Sequence, residues 1–310
     1  MRILITALLG LSVLTLAACQ MASNSVNAVA DMATPDYDPL TQDPELSVAF
    51  PPALEELNFQ SQGARLNGLI YVANGEGPHP TVVLLHGYPG NEKNLDLAQD
   101  LRRAGFNVLF FHYRGAWGSG GRFSFANGIE DVGAALDFLR DPETARTYRV
   151  DPNKITLIGH SYGGFTALQA AAKDDSVTCV GGMAAADFGA IASSFENAPQ
   201  AQARFSAYAD SLTMLAGQTG ATAIAELDAN RLGFDLRALS GALDGKRILL
   251  VAARSDTAVP ADRIHTPMVA AYSANAGIDL EHKLLPGDHS FSWSRKALSR
   301  TVLRWVEDCR

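Results

Sequence analysis

The sequence predicts an α/β fold: a mostly parallel central sheet with helices on both faces and a small helical cap. Three observations carry this reading. Short apolar runs alternate with helix-length amphipathic runs from about Leu54 onward. The stretch Gly159-His160-Ser161-Tyr162-Gly163 stands between one such strand and one such helix. Residues 187–243 interrupt the alternation with helical signal alone.

The alternation begins with a hairpin at 57–60 and 66–72. Residues 81–85 form a buried strand, 95–104 a helix and 108–111 a strand. Residues 129–140 form an amphipathic helix, because Val132, Leu136 and Leu139 recur at a spacing that places them on one face. The run 154–158 leads into the serine-bearing turn, and 165–172 continues from it as a helix. Residues 177–183, 247–251 and 280–285 complete the strands, with helices at 263–274 and 295–306. Continuous apolar strands, in place of alternating ones, mark a sheet buried on both sides. The segment 187–243 contains alanine-rich helical stretches at 201–215 and 221–232. It follows a sheet strand, which predicts a cap over the C-terminal edge of the sheet, where open α/β folds bind ligands.

The N-terminus has the organisation of a secretory signal peptide at 1–18: Met1-Arg2, an apolar stretch from Ile3 to Leu16, then Ala17-Ala18. The apolar stretch is shorter than the roughly 20 residues a spanning helix requires. Leu16-Ala17-Ala18-Cys19 resembles the lipobox of bacterial lipoproteins. That resemblance implies cleavage before Cys19, lipidation of Cys19, and tethering to a membrane of the cell envelope. Gln20 after the cysteine favours the outer membrane. Residues 19–52 are rich in Ser, Asn, Ala, Asp and Pro without apolar periodicity, so they read as a flexible linker, leaving 53–310 as one domain.

Composition narrows the function. With 25 basic and 33 acidic residues the net charge is -8, and no Lys/Arg cluster stands out, which excludes nucleic acid as the expected partner. Of the three cysteines, Cys179 lies in an apolar strand and reads as a small core residue, and Cys309 lies at the C-terminal end. No disulfide framework is expected. His79 and His112 lack metal-ligand spacing and read as core donors or solvated tips, so neither a metal nor a cofactor is assigned. Gly118-Ser119-Gly120-Gly121 does not complete a dinucleotide fingerprint, because Phe123 occupies its last glycine position.

A serine hydroxyl is a weak nucleophile. Holding Ser161 on a sharp strand-to-helix turn presents it to a base on a neighbouring loop, and small flanking residues leave room for that turn. The base needs an orienting carboxylate, in the chain order Ser, Asp or Glu, His. Asp256 follows the strand at 247–251, and His289 follows the last strand. Nearby competitors read differently: Asp262 as a helix cap, Asp288 as pointing away from its neighbour His289, and His282 as a half-buried structural residue of a strand. His265 is the remaining histidine near these loops. The oxyanion of a tetrahedral intermediate would be met by Tyr162 N–H after the serine and by Tyr88 N–H in the loop 86–90.

His86-Gly87-Tyr88-Pro89-Gly90, Gly159-His160-Ser161-Tyr162-Gly163-Gly164, Asp256 and His289 together resemble the α/β-hydrolase superfamily over about Leu54 to Arg310. Residues 113–121 and the Tyr-Gly-Gly after the serine resemble its prolyl-oligopeptidase-like and serine-aminopeptidase-like branches. No room remains for the propeller of prolyl oligopeptidases. The resemblance implies a serine hydrolase that cleaves a small-molecule ester or peptide-like substrate through an acyl-enzyme, carboxylesterase-like first and peptidase second. A non-catalytic binding lipoprotein of the envelope is the alternative from another class.

Overall fold

The computed structural model describes residues 36–310. The signal peptide at 1–18, Cys19 and the first part of the expected linker lie outside those residues. Strands β1 (Ala53–Ser61) and β2 (Ala64–Val72) form the expected hairpin. Gln62 and Gly63 close it, both at positive φ (48° and 76°), the pairing that lets a two-residue turn follow the twist of its strands. The remaining strands are β3 (His79–Leu85), β4 (Asn107–Phe111), β5 (Val150–His160), β6 (Cys179–Met183), β7 (Arg247–Ala253) and β8 (Asp279–Leu285). All eight join one sheet in the order β1-β2-β4-β3-β5-β6-β7-β8. The β1–β2 and β2–β4 pairs are antiparallel and all later pairs are parallel.

Helices α1 (Leu95–Arg103), α2 (Phe125–Arg140), α3 (Pro142–Tyr148) and α4 (Tyr162–Ala171) belong to the first half. The second half has α5 (Phe188–Phe195), α6 (Pro199–Asp210), α7 (Gly220–Ala229), a 3₁₀ segment at Leu236–Gly241, α8 (His265–Ser273) and α9 (Arg295–Glu307). Successive strand residues point to opposite faces. Val83, Leu109 and Leu157 therefore pack with α2 and α4, while Val82, Val108 and Ile158 pack with α1 and α9. The sheet is covered on both sides. Helix α3, absent from the sequence reading, is capped by Asp141 and starts at Pro142 but buries none of its residues, so it leaves no apolar period to detect.

Two expectations are corrected. Residues 36–52 were expected to belong to a free linker, yet Leu40 is buried against the α1–α9 layer. Arg103 Nε donates to Pro39 O at 2.6 Å, and Lys296 Nζ donates to Leu40 O at 3.2 Å. Cys179 and Cys309, read as an inert core residue and an unpaired terminal one, form a disulfide with Cα atoms 6.1 Å apart. It ties the start of β6 to the residues just after α9, two places 130 positions apart whose proximity no local pattern encodes.

Candidate active site

Strand β5 ends at His160 and α4 begins at Tyr162, leaving Ser161 alone on the turn at φ 56° and ψ −115°. An L-residue rarely adopts this conformation, which persists only where its surroundings impose it. Here they do: Ser161 N donates to Met183 O at 2.8 Å, and Ser161 O accepts from Phe165 N and Ala186 N at 3.1 Å each. A Cβ on Gly159 would lie 2.0 Å from Gly163 O, and one on Gly163 would lie 2.1 Å from Leu85 O. Both glycines are required because backbone meets backbone at this crossing.

Asp256 follows β7 with its carboxylate fully buried, and its Oδ1 accepts from Ala258 N and Val259 N at 2.8 Å each. Its Oδ2 lies 2.7 Å from His289 Nδ1, on the loop after β8. A carboxylate can only accept, so Nδ1 carries the proton and Nε2 is left with its lone pair for a substrate-side role. The imidazole itself is partly exposed, while the acid is sealed behind it. His160 Nε2 donates to the main-chain O of His289 at 2.8 Å, and the two rings lie 4.7 Å apart. Burial, then the neighbouring His289, pushes the His160 pKa down to about 3, keeping it neutral beside the base. The residue before Ser161 thus seats the histidine loop against the serine turn. Sequence reasoning assigned His160 no role, since its spacing within the motif says nothing about a partner 129 positions away. No hydrogen bond joins Ser161 Oγ to His289 among the described residues; such bonds are often long until substrate is bound.

The competitors separate. Asp288 turns to Ser292, accepting from its N and Oγ at 2.8 Å each, and Asp262 is exposed. His265 opens α8, where burial and His282 push its pKa down to about 4. His282 is exposed on β8, not half-buried as expected, because β8 is the last strand of the sheet and has no neighbour on its outer side.

The loop 86–90 passes over the turn so closely that a Cβ on Gly87 would lie 3.1 Å from Ser161 Cβ. Neither Tyr88 N–H nor Tyr162 N–H has a hydrogen-bond acceptor among the described residues, and Tyr162 is the first residue of α4, where orphan donors and the helix dipole favour negative charge. The loop is braced from behind. His86 Nδ1 donates to Gly87 O at 2.8 Å, and His86 Nε2 accepts from His112 Nδ1 at 3.2 Å. Trp117, stacked on His112, donates its Nε1–H to Pro89 O at 2.7 Å. Burial pushes His86 to about 3 and His112 to about 4, so the brace stays uncharged at neutral pH.

Residues 187–243 contribute three helices where the sequence suggested two; α5, capped by Asp187, is the addition. They reach the loop 86–90 directly. Tyr88 Oη donates to Gln218 Oε1 at 2.6 Å, and its ring faces Phe205 and Tyr208 of α6 at 6.2 and 6.0 Å. Main-chain bonds also tie 115–123 to 214–216, through Trp117 N to Met214 O at 3.0 Å and Ala216 N to Gly115 O at 2.6 Å. A cavity of about 690 Å³ opens between α5, α6 and the loop after β7, where Thr257 and Ala258 line it next to Asp256.

An eight-stranded sheet of this order, with a serine on a strained strand-to-helix turn and a buried acid holding a histidine at its C-terminal edge, defines a class of fold. Residues 82–300 match the model of the alpha/beta hydrolase family, and the chain belongs to that family. Over 114 residues it is 32% identical to an uncharacterized 31.7 kDa protein from the traX-finO intergenic region of Escherichia coli. That match covers 35% of this chain and 38% of the relative, well under half of its length. Among solved structures, Est1E from Butyrivibrio proteoclasticus with bound ferulic acid superposes with a TM-score of 0.63 at 18% identity, over 81% of this chain and 98% of that one. The acylaminoacyl peptidase of Pyrococcus horikoshii gives 0.58 at 15% identity, over 83% of this chain and 41% of the other. At such identities these likenesses speak for the fold.

Proposed function

We propose that the protein is a serine hydrolase, carboxylesterase-like, with Ser161, His289 and Asp256 as its triad. The observation that carries the reading is the 2.7 Å bond from His289 to the buried Asp256, with His160 seating that histidine against the Ser161 turn. Ser161 Oγ attacks the substrate carbonyl carbon while His289 Nε2 takes its proton. Asp256 holds the imidazole tautomer and stabilises the imidazolium. The carbonyl oxygen, now an anion, accepts from Tyr88 N–H and Tyr162 N–H, each such donor contributing on the order of 3 kcal/mol in the transition state. Collapse expels the leaving alcohol or amine with the proton from His289. Water then attacks the acyl carbon, gives its proton to His289, and the acid departs as Ser161 regains its hydrogen. Fluorophosphonate labelling of the purified full chain tests this. Labelling and ester turnover should fall by roughly 10⁴-fold or more in Ser161→Ala and His289→Ala with melting unchanged. Unlabelled, well-folded wild type would leave a binding protein in place of an enzyme.

A peptidase reading draws on the serine turn followed by Tyr162-Gly163-Gly164 and on the loop at 113–121, which pairs with the cap. Comparing esters with matched aminoacyl amides separates the two, and ester-only cleavage removes the peptidase. For location we infer an envelope lipoprotein acylated at Cys19. The Cys179–Cys309 disulfide supports it, because such bonds persist in oxidising compartments. Labelling with a fatty-acid analogue should mark the wild type and not Cys19→Ala; an unmarked wild type removes the anchor.

A further inference from the structure

The cavity of about 690 Å³ beside the Asp256 loop is lined by apolar side chains that include Ile191, Phe195 and Phe205, and by three arginines, Arg204, Arg237 and Arg263. No acidic residue lines it among the described residues. In a chain of net charge -8 that is a local reversal of sign. Arg237 is already compensated, 2.7 Å from Asp235 and 3.6 Å from Asp187. Arg204, on α6, and Arg263, just before α8, form no ion pair among the described residues. One belongs to the cap segment and the other to the sheet domain, both are solvent-exposed at the cavity's rim, and an anion in the cavity would be attracted by both. The apolar wall needs a hydrocarbon partner and the two guanidinium groups need a carboxylate-like one, a combination met by an amphiphilic anion.

We propose that this cavity receives the anionic end of the substrate, an acyl chain terminated by a carboxylate-like group whose methylenes lie on the apolar wall. The ester or amide carbonyl at the other end is the one Ser161 attacks, so the proposal rests on the serine-hydrolase reading. Ala258 ties the two places together: it lines the cavity, and its N–H holds Asp256 Oδ1 at 2.8 Å.

The test compares 4-nitrophenyl hydrogen adipate with 4-nitrophenyl hexanoate, which differ only in carboxylate against methyl at the chain end. At low salt the full chain should prefer the adipate by roughly tenfold in kcat/KM, the size of charge-assisted contacts in partly solvated surroundings. In Arg204→Ala/Arg263→Ala that ratio should fall to near one, whereas Arg146→Ala, an exposed arginine on α3, should leave it unchanged. A wild-type ratio near one, or a ratio that survives the double substitution, overturns the proposal. If neither ester is cleaved, fluorophosphonate labelling decides the serine-hydrolase reading, and calorimetry with adipate itself decides the cavity separately. Binding to the full chain that disappears in the double variant supports the site; absent or unchanged binding overturns it.

Discussion

Helices α4 and α6 are similar in length and opposite in how they are held. All ten residues of α4 are buried, whereas α6 buries only Ala209 of its twelve. The first follows Ser161 and packs on the sheet beside α2, with Gly163 pressed on Leu85 O and Gly164 on Ala185. The second sits over Tyr88 through Phe205 and Tyr208 and is fixed by few directional contacts, Gly220 N to Asp210 Oδ1 at 2.7 Å among them. Close packing leaves the serine turn one conformation; sparse contacts leave the cap at the low end of local stability, where access elements are drawn from. The serine turn and the segment 187–243 are therefore held in mechanically different ways.

The comparison is broken most directly by one methyl group. Gly159→Ala places its Cβ on the Gly163 carbonyl, a backbone atom with nowhere to move, and should cost on the order of 5 kcal/mol or more. Soluble folded protein and fluorophosphonate labelling should both be lost. Gly241→Ala, in the 3₁₀ segment of the cap, meets open space and should be neutral or stabilise by about 0.5 kcal/mol. Soluble yield of Gly159→Ala and the urea midpoint of Gly241→Ala check this, and a folded Gly159→Ala with a wild-type midpoint would refute the distinction.

The same difference explains what could be read from the residues. The parallel sheet and the serine turn are written locally, as apolar runs of strand length and as glycines where backbones cross, so the fold class was legible. The chain order of Ser161, Asp256 and His289 also pointed to three loops at one sheet edge, and the structure forms the Asp256–His289 bond among them. Contacts between distant places left no such trace. Leu40 packs as a lone apolar residue in a polar stretch, and His160 reaches a main-chain oxygen 129 positions away. The exposure of His282 follows from β8 being the last strand, a fact of topology instead of composition.

The disulfide offers a sharper separation, because it stabilises the sheet from the end opposite the site. Cys179 opens β6, and Ser161, Asp256 and His289 all follow the C-terminal ends of their strands. Crosslinking positions 130 apart restricts the unfolded chain strongly, so Cys179→Ala/Cys309→Ala should cost about 2–4 kcal/mol. Denaturant midpoints should fall by that amount, while the labelling rate of the folded variant stays at the wild-type value. A slower rate at equal folded fraction would mean that the lower end of the sheet also shapes the serine turn.

The smallest effect is expected at the joint between the two regions. Asp187 leaves β6 and caps α5, its Oδ1 accepting from Ala190 N at 2.9 Å. Burial, with Asp235 nearby, pushes its carboxyl up to about 6, and Arg237 at 3.6 Å offsets this only in part. The folded pKa stands above the ordinary carboxylate value near 3.8, so the folded state holds this proton more tightly than the unfolded chain does. The resulting stability is complete below about pH 4 and is lost as pH rises through 6. Asparagine keeps the cap acceptor and removes the charge. Asp187→Asn should therefore match the wild type near pH 4 and exceed it in stability at pH 8, with slower hydrogen exchange in α5–α7. Equal stability at pH 8 would show that Arg237 and the capping amide already carry the ionised form, and that the joint is as well satisfied as the serine turn.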